Sequence, residues 1–395
     1  MLTTTQISLL EAIKASLFDY TPKYPDDTDW NEVIKEAKAQ TVMGLISPVI
    51  PIKDQSTNIG IANYIRLLHE QDKLIKLLDD NGIPCVILKG FAAAQYYTKP
   101  HLRAMGDVDF LVPKYYFEDA VKLLEANGFD YHHGKTSDGK IPEGVRHIGY
   151  IKNGIEYEVH HHFSSRGFDI DEILEQAIRK REFKEFNDYK IPSLPDIENG
   201  LVLLGHLNQH LSAYDLGLRQ ILDWEMYVYK VLDKTRWNND FLPLAEKVGL
   251  KKLAVNVTVM CMEYLGLPNN IGLKVDHEKD VSGSLLNLLF ESGNFGRKIS
   301  KSTQNNNNGV ISTGIYQIKK NGFFPYFQDM GLKRWKLCQK HKSLRPFAWI
   351  YGILRSIGWG ISSIFKSGNV KKQINAGNEK YILFEKLGIQ ASSKK

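Results

Sequence analysis

The sequence predicts an α+β protein in which a small mixed β-sheet lies between N-terminal helices and a C-terminal helical region. Two observations support this prediction. Apolar residues recur with helical spacing over the first 80 residues and again from Asp169 onward, as on the buried face of an α-helix. Between these regions, short apolar segments alternate with polar residues and are bounded by glycine or Asn-Gly, which is typical of β-strands.

Three helices are expected before the sheet. The first covers about residues 4–18 and ends before a proline-rich loop. Asp29 can cap the second helix, which the apolar spacing extends to about residue 46. The third covers about residues 59–80 and ends at Asn81-Gly82, a typical C-terminal stop. These helices are expected to pack on the sheet and contain no motif with recognisable chemistry.

The predicted sheet follows between residues 81 and 165. Its strands and one helix are expected near residues 84–88, 106–112, 116–126 (the helix), 129–132, 145–152 and 155–163. Asn153-Gly154 predicts a two-residue hairpin turn between the last two strands. Such a turn opposes Lys152 with Ile155, Gly149 with Glu158 and His147 with His160. A glycine opposite Glu158 leaves room for a ligand, and the glycine-rich loop 134–144 could cover it.

From Asp169 the pattern becomes helical. His206 and His210 lie four residues apart and therefore share one helix face. The glutamate of the HExxH motif is missing, which excludes a zinc protease of that type. We interpret these histidines as structural or capping residues in preference to site residues. We give the same interpretation to Arg219 and Asp223, which have ion-pair spacing.

The chain is expected to divide into four segments. They are an N-terminal helical segment (1–80), a sheet core (81–165), a helical domain (166–300) and a basic, aromatic-rich C-terminal segment (310–395). The polar, asparagine-rich run 304–309 is the expected linker. With 43% hydrophobic and 24% charged residues, the composition is that of an ordered globular protein.

Cysteine usage and the N-terminus bear on location. The three cysteines are scattered without metal-type spacing, which argues against a disulfide scaffold or a zinc ribbon. This pattern fits a reducing cytoplasm. The first 20 residues read as an amphipathic helix and not as a signal peptide, because they lack a basic start and a long apolar stretch.

Positive charge is concentrated near the C-terminus. Residues 331–395 contain 14 Lys+Arg against 2 Asp+Glu, whereas the upstream chain contains 37 against 43. Such a segment could bind anionic lipid, nucleic acid or a polyanionic substrate, and a solvated basic tail is the alternative. Residues 345–366 approach transmembrane length, but Arg355 and several glycines interrupt them. A helix in the bilayer interface and a core helix both remain open.

Asp107 and Asp109 begin a predicted strand. Since strand side chains alternate, both carboxylates project to the same face while Val108 points into the core. Paired carboxylates repel unless a cation lies between them, and hard oxygen ligands of this kind suit Mg²⁺ or Mn²⁺. A solvated strand end is the alternative interpretation.

Two neighbouring features strengthen the metal interpretation. Upstream, a strand ends at Gly90 and a helix follows, so free backbone N–H groups could receive a phosphate there. Downstream, alternation over residues 155–160 places Glu156, Glu158 and His160 on one face. A phosphate cradle, an Asp pair and a third acid are the parts that metal-assisted nucleotidyl transfer requires. The run of histidines at 160–162 could bind a softer metal, but the sequence shows no second cluster beside it.

These motifs resemble the nucleotidyltransferase (polymerase-beta-like) superfamily, and more narrowly a poorly characterised bacterial branch of it. The similarity covers roughly residues 29–230. The matching residues are Leu88-Lys89-Gly90, Arg103, Gly106-Asp107-Val108-Asp109 and Glu158-Val159-His160. One departure is that the Gly-Ser usual after the first strand is Gly90-Phe91 here, so a serine contact to the triphosphate is missing.

The resemblance implies a metal-dependent enzyme that transfers a nucleoside monophosphate from an NTP to an acceptor and releases pyrophosphate. It implies that Asp107 and Asp109 hold Mg²⁺ or Mn²⁺. Glu158 would be a third metal ligand or would activate the acceptor. The acceptor itself, whether a small molecule, a protein or an RNA, is not indicated.

The resemblance also implies where the nucleotide binds. Gly90 and the following helix N-terminus would receive the triphosphate, and Lys89 and Arg103 would supply the charge that the missing serine does not. His160 would contact phosphate, support the metal ligands or act in acid/base chemistry, and a structural histidine is equally compatible. Two other function classes stay open: a nucleotide-binding regulatory module without turnover, and a membrane-surface or polyanion-binding protein acting through the C-terminal segment.

Overall fold

The structure is a computed structural model that separates into two compact units, residues 1–295 and 296–395. It describes residues 2–18, 20–136, 139–142, 145–164, 169–213, 215–274, 279–294, 298, 317–319, 321–335, 337–338, 341–367 and 370–389. The expected linker at 304–309 lies outside the described residues, as do residues 137–138 and 143–144 of the loop expected to cover the site.

Four helices precede the sheet. They are α1 (Thr4–Leu17), α2 (Trp30–Ala39), α3 (Met43–Ile46) and α4 (Ser56–Asp80). Asp29 caps α2 as predicted, because its carboxylate accepts the backbone N–H groups of Asn31 and Glu32. The prediction of a continuous helix to residue 46 is wrong. Thr41 adopts a left-handed conformation with φ of 59°, which ends α2 and makes α3 a separate turn.

A five-stranded mixed sheet forms the centre of the first unit, as the sequence predicts. Its strands are β1 (Val86–Leu88), β2 (Val108–Leu111), β3 (Asp130–His133), β4 (His147–Lys152) and β5 (Ile155–His160). The spatial order is β1-β2-β5-β4-β3. Strands β2 and β5 are parallel, and the other neighbouring pairs are antiparallel.

The predicted β4–β5 register is confirmed. Asn153 and Gly154 both have positive φ, 53° and 69°, as the two-residue turn of this hairpin requires. The opposed pairs are Lys152 with Ile155, Gly149 with Glu158 and His147 with His160. Because side chains alternate, this register fixes which residues of β4 and β5 meet on the polar face.

One face of the sheet is buried under α4 and α6 (Phe117–Ala126). Its apolar side chains include Ile87, Val108, Phe110, Ile148, Tyr150, Tyr157 and Val159. Each fully buried side chain of this kind contributes about 1.5–3 kcal/mol by leaving water. The opposite face carries Asp109, Glu158 and His160, so the hydrophobic core orients the polar groups.

A second, two-stranded sheet was not predicted. Helix α7 (Asp171–Ile178) is followed by the antiparallel strands β6 (Glu182–Phe186) and β7 (Tyr189–Ser193). The expectation of helix throughout this region is therefore wrong for the hairpin. The residues 182–186 do alternate, with Phe183 exposed and Phe186 buried, and Asn187 adopts φ of 52° in the turn.

Helices complete the first unit. Between β1 and β2 lies α5 (Gly90–Ala94), and after β7 come α8 (Asp196–Ala213), α9 (Leu218–Val231), α10 (Lys234–Arg236), α11 (Leu242–Lys247), α12 (Lys251–Met260) and α13 (Lys279–Ser292). Gly249 and Gly266 have positive φ, 80° and 91°, and each follows the end of a helical segment. Asn199 of α8 donates to Ala92 O of α5 at 2.8 Å, which ties the helices to the sheet domain.

The second unit contains α14 (Phe323–Arg334), α15 (Ala348–Ser367) and α16 (Val370–Lys386). Helices α14 and α15 pack closely, because a Cβ at Gly331 would lie 1.8 Å from Ala348 O. Four exposed apolar residues line the other side of α15 and the turn before it: Phe347, Ile350, Leu354 and Ile357. We call this surface the α15 stripe. None of the described helices combines the length and the apolar character needed to span a membrane.

Candidate active site

Lys89 lies at the turn from β1 into α5. Its backbone has φ of 50° and ψ of −122°, a conformation that is unfavourable for every residue except glycine. This turn directs Nζ to Asp109 Oδ1 at 2.7 Å. Burial alone would lower the pKa of Lys89, but the carboxylates of Asp109, Asp107 and Glu158 outweigh it and raise the pKa. A charged ammonium therefore lies among three acids.

Gly90 begins α5 beside this ammonium. A Cβ added at Gly90 would meet only Asp107 O, at 3.9 Å, so the fold leaves space there among the described residues. The N–H groups of the first helical turn have no carbonyl partner within the helix. The next residue, Phe91, is buried against the rings of Tyr64 and Phe186. The side chain that replaces the usual serine thus faces the core and does not enter the site.

Asp109 and Glu158 lie side by side. They are direct neighbours in the parallel pairing of β2 and β5, although they are distant in sequence. His160, two residues after Glu158, contacts both carboxylates through Nε2, at 2.9 Å from Asp109 Oδ1 and 3.2 Å from Glu158 Oε2. The side chain of Asp109 is only 3% exposed, so these contacts compensate its burial.

The cluster is strongly coupled electrostatically. Burial alone would raise the pKa of Glu158, but the hydrogen bond from His160 and the charge of Lys89 hold that pKa well below its usual range. Burial alone would lower the pKa of His160, but its bonds to Asp109 and Glu158 raise it. Both residues are therefore stabilised in their charged forms.

Asp107 immediately precedes β2 and is exposed. The charge of Asp109 raises the pKa of Asp107, and the charges of Lys89 and Arg219 oppose that effect. The two aspartates are thus close enough to interact, as the D-x-D spacing predicts. Asp107 is not part of the tighter cluster formed by Asp109, Glu158 and His160, whose ligand atoms lie within 4.8 Å of one another.

Arg103 is placed differently from the expected triphosphate contact. Its guanidinium forms a bidentate pair with Asp223 of α9, at 2.6 Å for both Nε–Oδ1 and Nη2–Oδ2. Tyr97 donates its hydroxyl to the same carboxylate at 2.9 Å. Arg103 and Asp223 are both buried, so this pair joins the loop before β2 to the helical region.

The carboxylates fit a hard divalent cation. Asp107, Asp109 and Glu158 offer only oxygen donors, which is the ligand type that Mg²⁺ and Mn²⁺ prefer. Lys89 and His160 both bind Asp109 through Oδ1. No hydrogen bond to Oδ2 is found within the described part of the chain, and this oxygen could coordinate a metal.

Two histidines that are not among the predicted site residues lie beside the site. His133 Nε2 of β3 and His147 Nε2 of β4 are each 3.7 Å from Glu158 Oε1. Burial and the neighbouring His160 lower the pKa of His147 to about 4, so its imidazole is neutral at neutral pH. The predicted register already opposed His147 to His160. His133 could not be found in this way, because a bulge in β3 sets its direction.

Helix α8 contributes a second histidine pair near the site. His206 Nε2 lies 2.7 Å from His210 Nε2, and His210 Nδ1 lies 2.8 Å from Asp215 Oδ1. Burial, His210 and then Lys89 lower the pKa of His206 well below its usual value. The Lys89 ammonium is therefore close enough to His206 to act on its charge.

Comparison with known protein families gives a match that spans the candidate site. Residues 26–266 match a family described as "Uncharacterised nucleotidyltransferase". An antigenic nucleotidyltransferase-like protein from Paracoccidioides brasiliensis is a structural match with 16% sequence identity and a TM-score of 0.32, covering 51% of this chain and 92% of that one. Comparison with curated proteins gives no match. Because the family match covers more than half of the chain, including both acids on β2 and β5, the chain belongs to this nucleotidyltransferase family.

Proposed function

We propose that the protein is a metal-dependent enzyme that transfers a nucleoside monophosphate from an NTP to an acceptor hydroxyl. The observation that supports this most directly is the adjacency of Asp109 and Glu158 on parallel strands, with the Lys89 ammonium beside them. Carboxylates at this spacing can hold a divalent cation, and the ammonium adds charge for a triphosphate.

Asp107, Asp109 and Glu158 would hold Mg²⁺ or Mn²⁺. When bound, the metal would neutralise charge on the triphosphate and align it for displacement. Glu158 fits the role of ligand better than that of general base. Its low pKa keeps it ionised, whereas an efficient base has a pKa near the working pH. His160 would hold Asp109 and Glu158 in place by binding both.

Lys89 and Gly90 would receive the triphosphate. The space above Gly90 allows phosphate oxygens to approach the backbone, and Lys89 already lies at its edge. The acceptor oxygen would then bond to the α-phosphorus, and the bond from that phosphorus to the bridging oxygen of the β-phosphate would break. Pyrophosphate would leave and the acceptor proton would pass to solvent. Arg103 would position the loop before Asp107 through its pair with Asp223.

The test is release of pyrophosphate from each of the four NTPs with Mg²⁺ or Mn²⁺, combined with thermal unfolding. For the wild type, we expect one NTP to stabilise the protein against thermal unfolding in the presence of metal. We also expect slow release of pyrophosphate, which should become faster when a cell extract supplies the acceptor. Asp107→Asn and Glu158→Gln should each lower the rate of pyrophosphate release at least about 100-fold, because each removes a proposed charged metal ligand.

Glu156→Gln is the matched control, since Glu156 lies on the same strand face as Glu158 but contacts His132. It should retain release. NTP binding without release in any extract would favour the regulatory module over the enzyme. The absence of a metal-dependent effect of any NTP on unfolding or release would overturn the nucleotidyltransferase proposal.

We also propose that the second unit binds an anionic lipid surface through the α15 stripe. Phe347, Ile350, Leu354 and Ile357 follow each other at helical spacing and are 40–65% exposed. The surrounding segment is strongly basic, which complements anionic headgroups. A cytoplasmic location fits both this proposal and the three buried free thiols of Cys85, Cys261 and Cys338.

A further inference from the structure

We infer that His133, His147 and Glu158 form a second metal site, suited to a transition-metal dication of the Zn²⁺ class. This site shares Glu158 with the proposed Mg²⁺ position but does not depend on nucleotidyl transfer, because its two histidine ligands and its preferred metal are different. We call it the imidazole site. Its three side chains come from three neighbouring strands, β3, β4 and β5.

The distances are those of a site that needs little rearrangement. Glu158 Oε1 lies 3.7 Å from both His133 Nε2 and His147 Nε2. All three ligand atoms lie within 4.8 Å of one another. Two ligands bound at the usual zinc distances lie about 3.3 Å apart in a tetrahedral site. Small rotations of the two imidazole rings would therefore bring the three atoms to bonding distance around one ion.

A register shift in β3 directs His133 towards the acids of β5. Alternation would direct His132 and His133 to opposite faces, but the β3–β4 register shifts between Tyr131 and His133. Both histidines consequently face the acids of β5. His132 Nδ1 lies 2.9 Å from Glu156 Oε1, whereas His133 lies between the two acids, with Nδ1 3.9 Å from Glu156 Oε1 and Nε2 3.7 Å from Glu158 Oε1.

Gly149 provides the space for the His133 ring. A Cβ at Gly149 would lie 2.1 Å from His133 Cε1 and Nδ1, so any larger residue would displace the ring. Gly149 is also the direct partner of Glu158 on β4. The absence of a side chain at this position therefore lets the imidazole lie over the sheet and reach the carboxylate.

The donor set selects the metal. Imidazole nitrogens suit Zn²⁺, Fe²⁺, Ni²⁺ and Cu²⁺, whereas Mg²⁺ prefers oxygen ligands. Two histidines and one glutamate leave a fourth position for water or a substrate atom, as in zinc sites that are not purely structural. The two oxygens of Glu158 face different groups, Oε1 the two histidines and Oε2 His160. Glu158 could thus bridge the imidazole site and the proposed Mg²⁺ position.

The test is Zn²⁺ binding to the full chain, purified without a polyhistidine tag, in competition with a chromogenic chelator. One Zn²⁺ per chain is expected. His147→Gln and His133→Gln should each weaken binding by at least about tenfold, since even the loss of a residue supporting a ligand has an effect of that size. Thermal unfolding without metal shows whether each variant is folded.

His132→Gln is the matched control on the same strand. It should leave Zn²⁺ affinity unchanged, because His132 contacts Glu156 and not Glu158. Asp107→Asn should also leave it unchanged, which separates the imidazole site from the proposed Mg²⁺ position. Equal weakening by His132→Gln, or no weakening by His147→Gln, would overturn the assignment.

Co²⁺ gives a readout that does not depend on affinity. Bound to two imidazoles and a carboxylate, it should show visible d–d absorption of a low-coordinate site. Gly149→Ala should weaken or abolish that absorption although every ligand is retained, because the new methyl group displaces His133. An unchanged spectrum in a folded Gly149→Ala protein would contradict the proposed ligand set. The loss of NTP effects in Asp107→Asn with an intact Co²⁺ spectrum would show that the two sites are separate.

Discussion

At the scale of single residues, Lys89 combines an unfavourable backbone with a buried charge. A non-glycine residue at φ of 50° and ψ of −122° has a conformational cost of about 1–3 kcal/mol. Glycine would avoid that cost, but glycine has no ammonium to place on Asp109. The backbone strain thus accompanies the placement of the Lys89 ammonium, which extends from the β1–α5 turn to the acids of β2 and β5.

Two substitutions separate these contributions. Lys89→Ala removes the ammonium and keeps the strain, whereas Lys89→Gly removes both. We expect the glycine variant to be more stable than the alanine variant by about 1 kcal/mol in urea unfolding, because only glycine tolerates this φ. Both variants should lose NTP-dependent stabilisation. An alanine variant as stable as the glycine variant would show that the turn is not strained.

Residue patterns predicted much of the candidate site. The spacing of Asp107 and Asp109 and the alternation around Glu158 indicated the acids, and the hairpin turn gave their partners on β4. The pairing of Arg103 with Asp223 was not predictable, because helical spacing within α9 suggested Arg219 as the partner of Asp223. Which arginine pairs with Asp223 depends on how α9 packs against the loop before β2, and this packing cannot be predicted from local sequence patterns.

At the scale of elements, the Arg103–Asp223 pair fixes this loop against α9. Both groups are buried, and the bidentate geometry uses the planar fork of the guanidinium. Replacing one member leaves the other charge buried without its counter-ion. Lysine is not an equivalent replacement for Arg103, because an ammonium cannot form two parallel hydrogen bonds with the carboxylate.

We expect Arg103→Ala to lower the free energy of unfolding by about 3–5 kcal/mol, the usual consequence of breaking a buried ion pair. The double variant Arg103→Met/Asp223→Leu should recover most of that loss. Urea denaturation measures both. The exposed pair Lys35–Glu32 is the control, and Glu32→Ala should change stability by less than about 1 kcal/mol.

The same variants distinguish the two roles considered for Arg103. If Arg103 only positions the loop, the stable double variant should bind NTP nearly as well as the wild type. Loss of NTP binding in a folded double variant would instead support a direct contact with the triphosphate, as the sequence motif implies.

The elements themselves differed in how far the sequence predicts them. Long amphipathic helices such as α1 and α4 and the Asn-Gly hairpin were predicted, because their signals are local. The β6–β7 hairpin was missed although residues 182–186 alternate, since its strands are short and lie among helical segments. The bulge in β3 also escaped prediction, because a register shift depends on the partner strand.

At the scale of the whole molecule, net positive charge and exposed apolar surface are concentrated in the C-terminal segment. The chain has a formal net charge of +6, yet residues 331–395 alone carry 14 basic and 2 acidic residues. The sequence showed this asymmetry directly. Which side of α15 remains exposed was not visible from the sequence, because it depends on the packing of α14 against Ala348 and Gly352.

We expect the full chain to sediment with vesicles that contain phosphatidylserine, and binding to fall at high salt because the attraction is screened. Leu354→Asp/Ile357→Asp should reduce vesicle binding at least about tenfold, since it places charge on the apolar face. Ile65→Asp is the matched control, an exposed apolar residue of α4 in the first unit. Unchanged vesicle binding by the double variant would contradict a lipid surface as the partner. Binding of the wild type to RNA but not to vesicles would contradict it as well.

The parallel pairing of β2 with β5 has a consequence for the timing of synthesis. Asp109 leaves the ribosome early, but its neighbour Glu158 follows only after α6, β3 and β4 have been made. Parallel strands of this kind pair late, because a long connection must be ordered before the contact forms. A nascent chain that stops short of Glu158 therefore has neither the complete acid pair nor the complete imidazole site. The proposed metal and nucleotide sites can therefore form only after β5 has been translated.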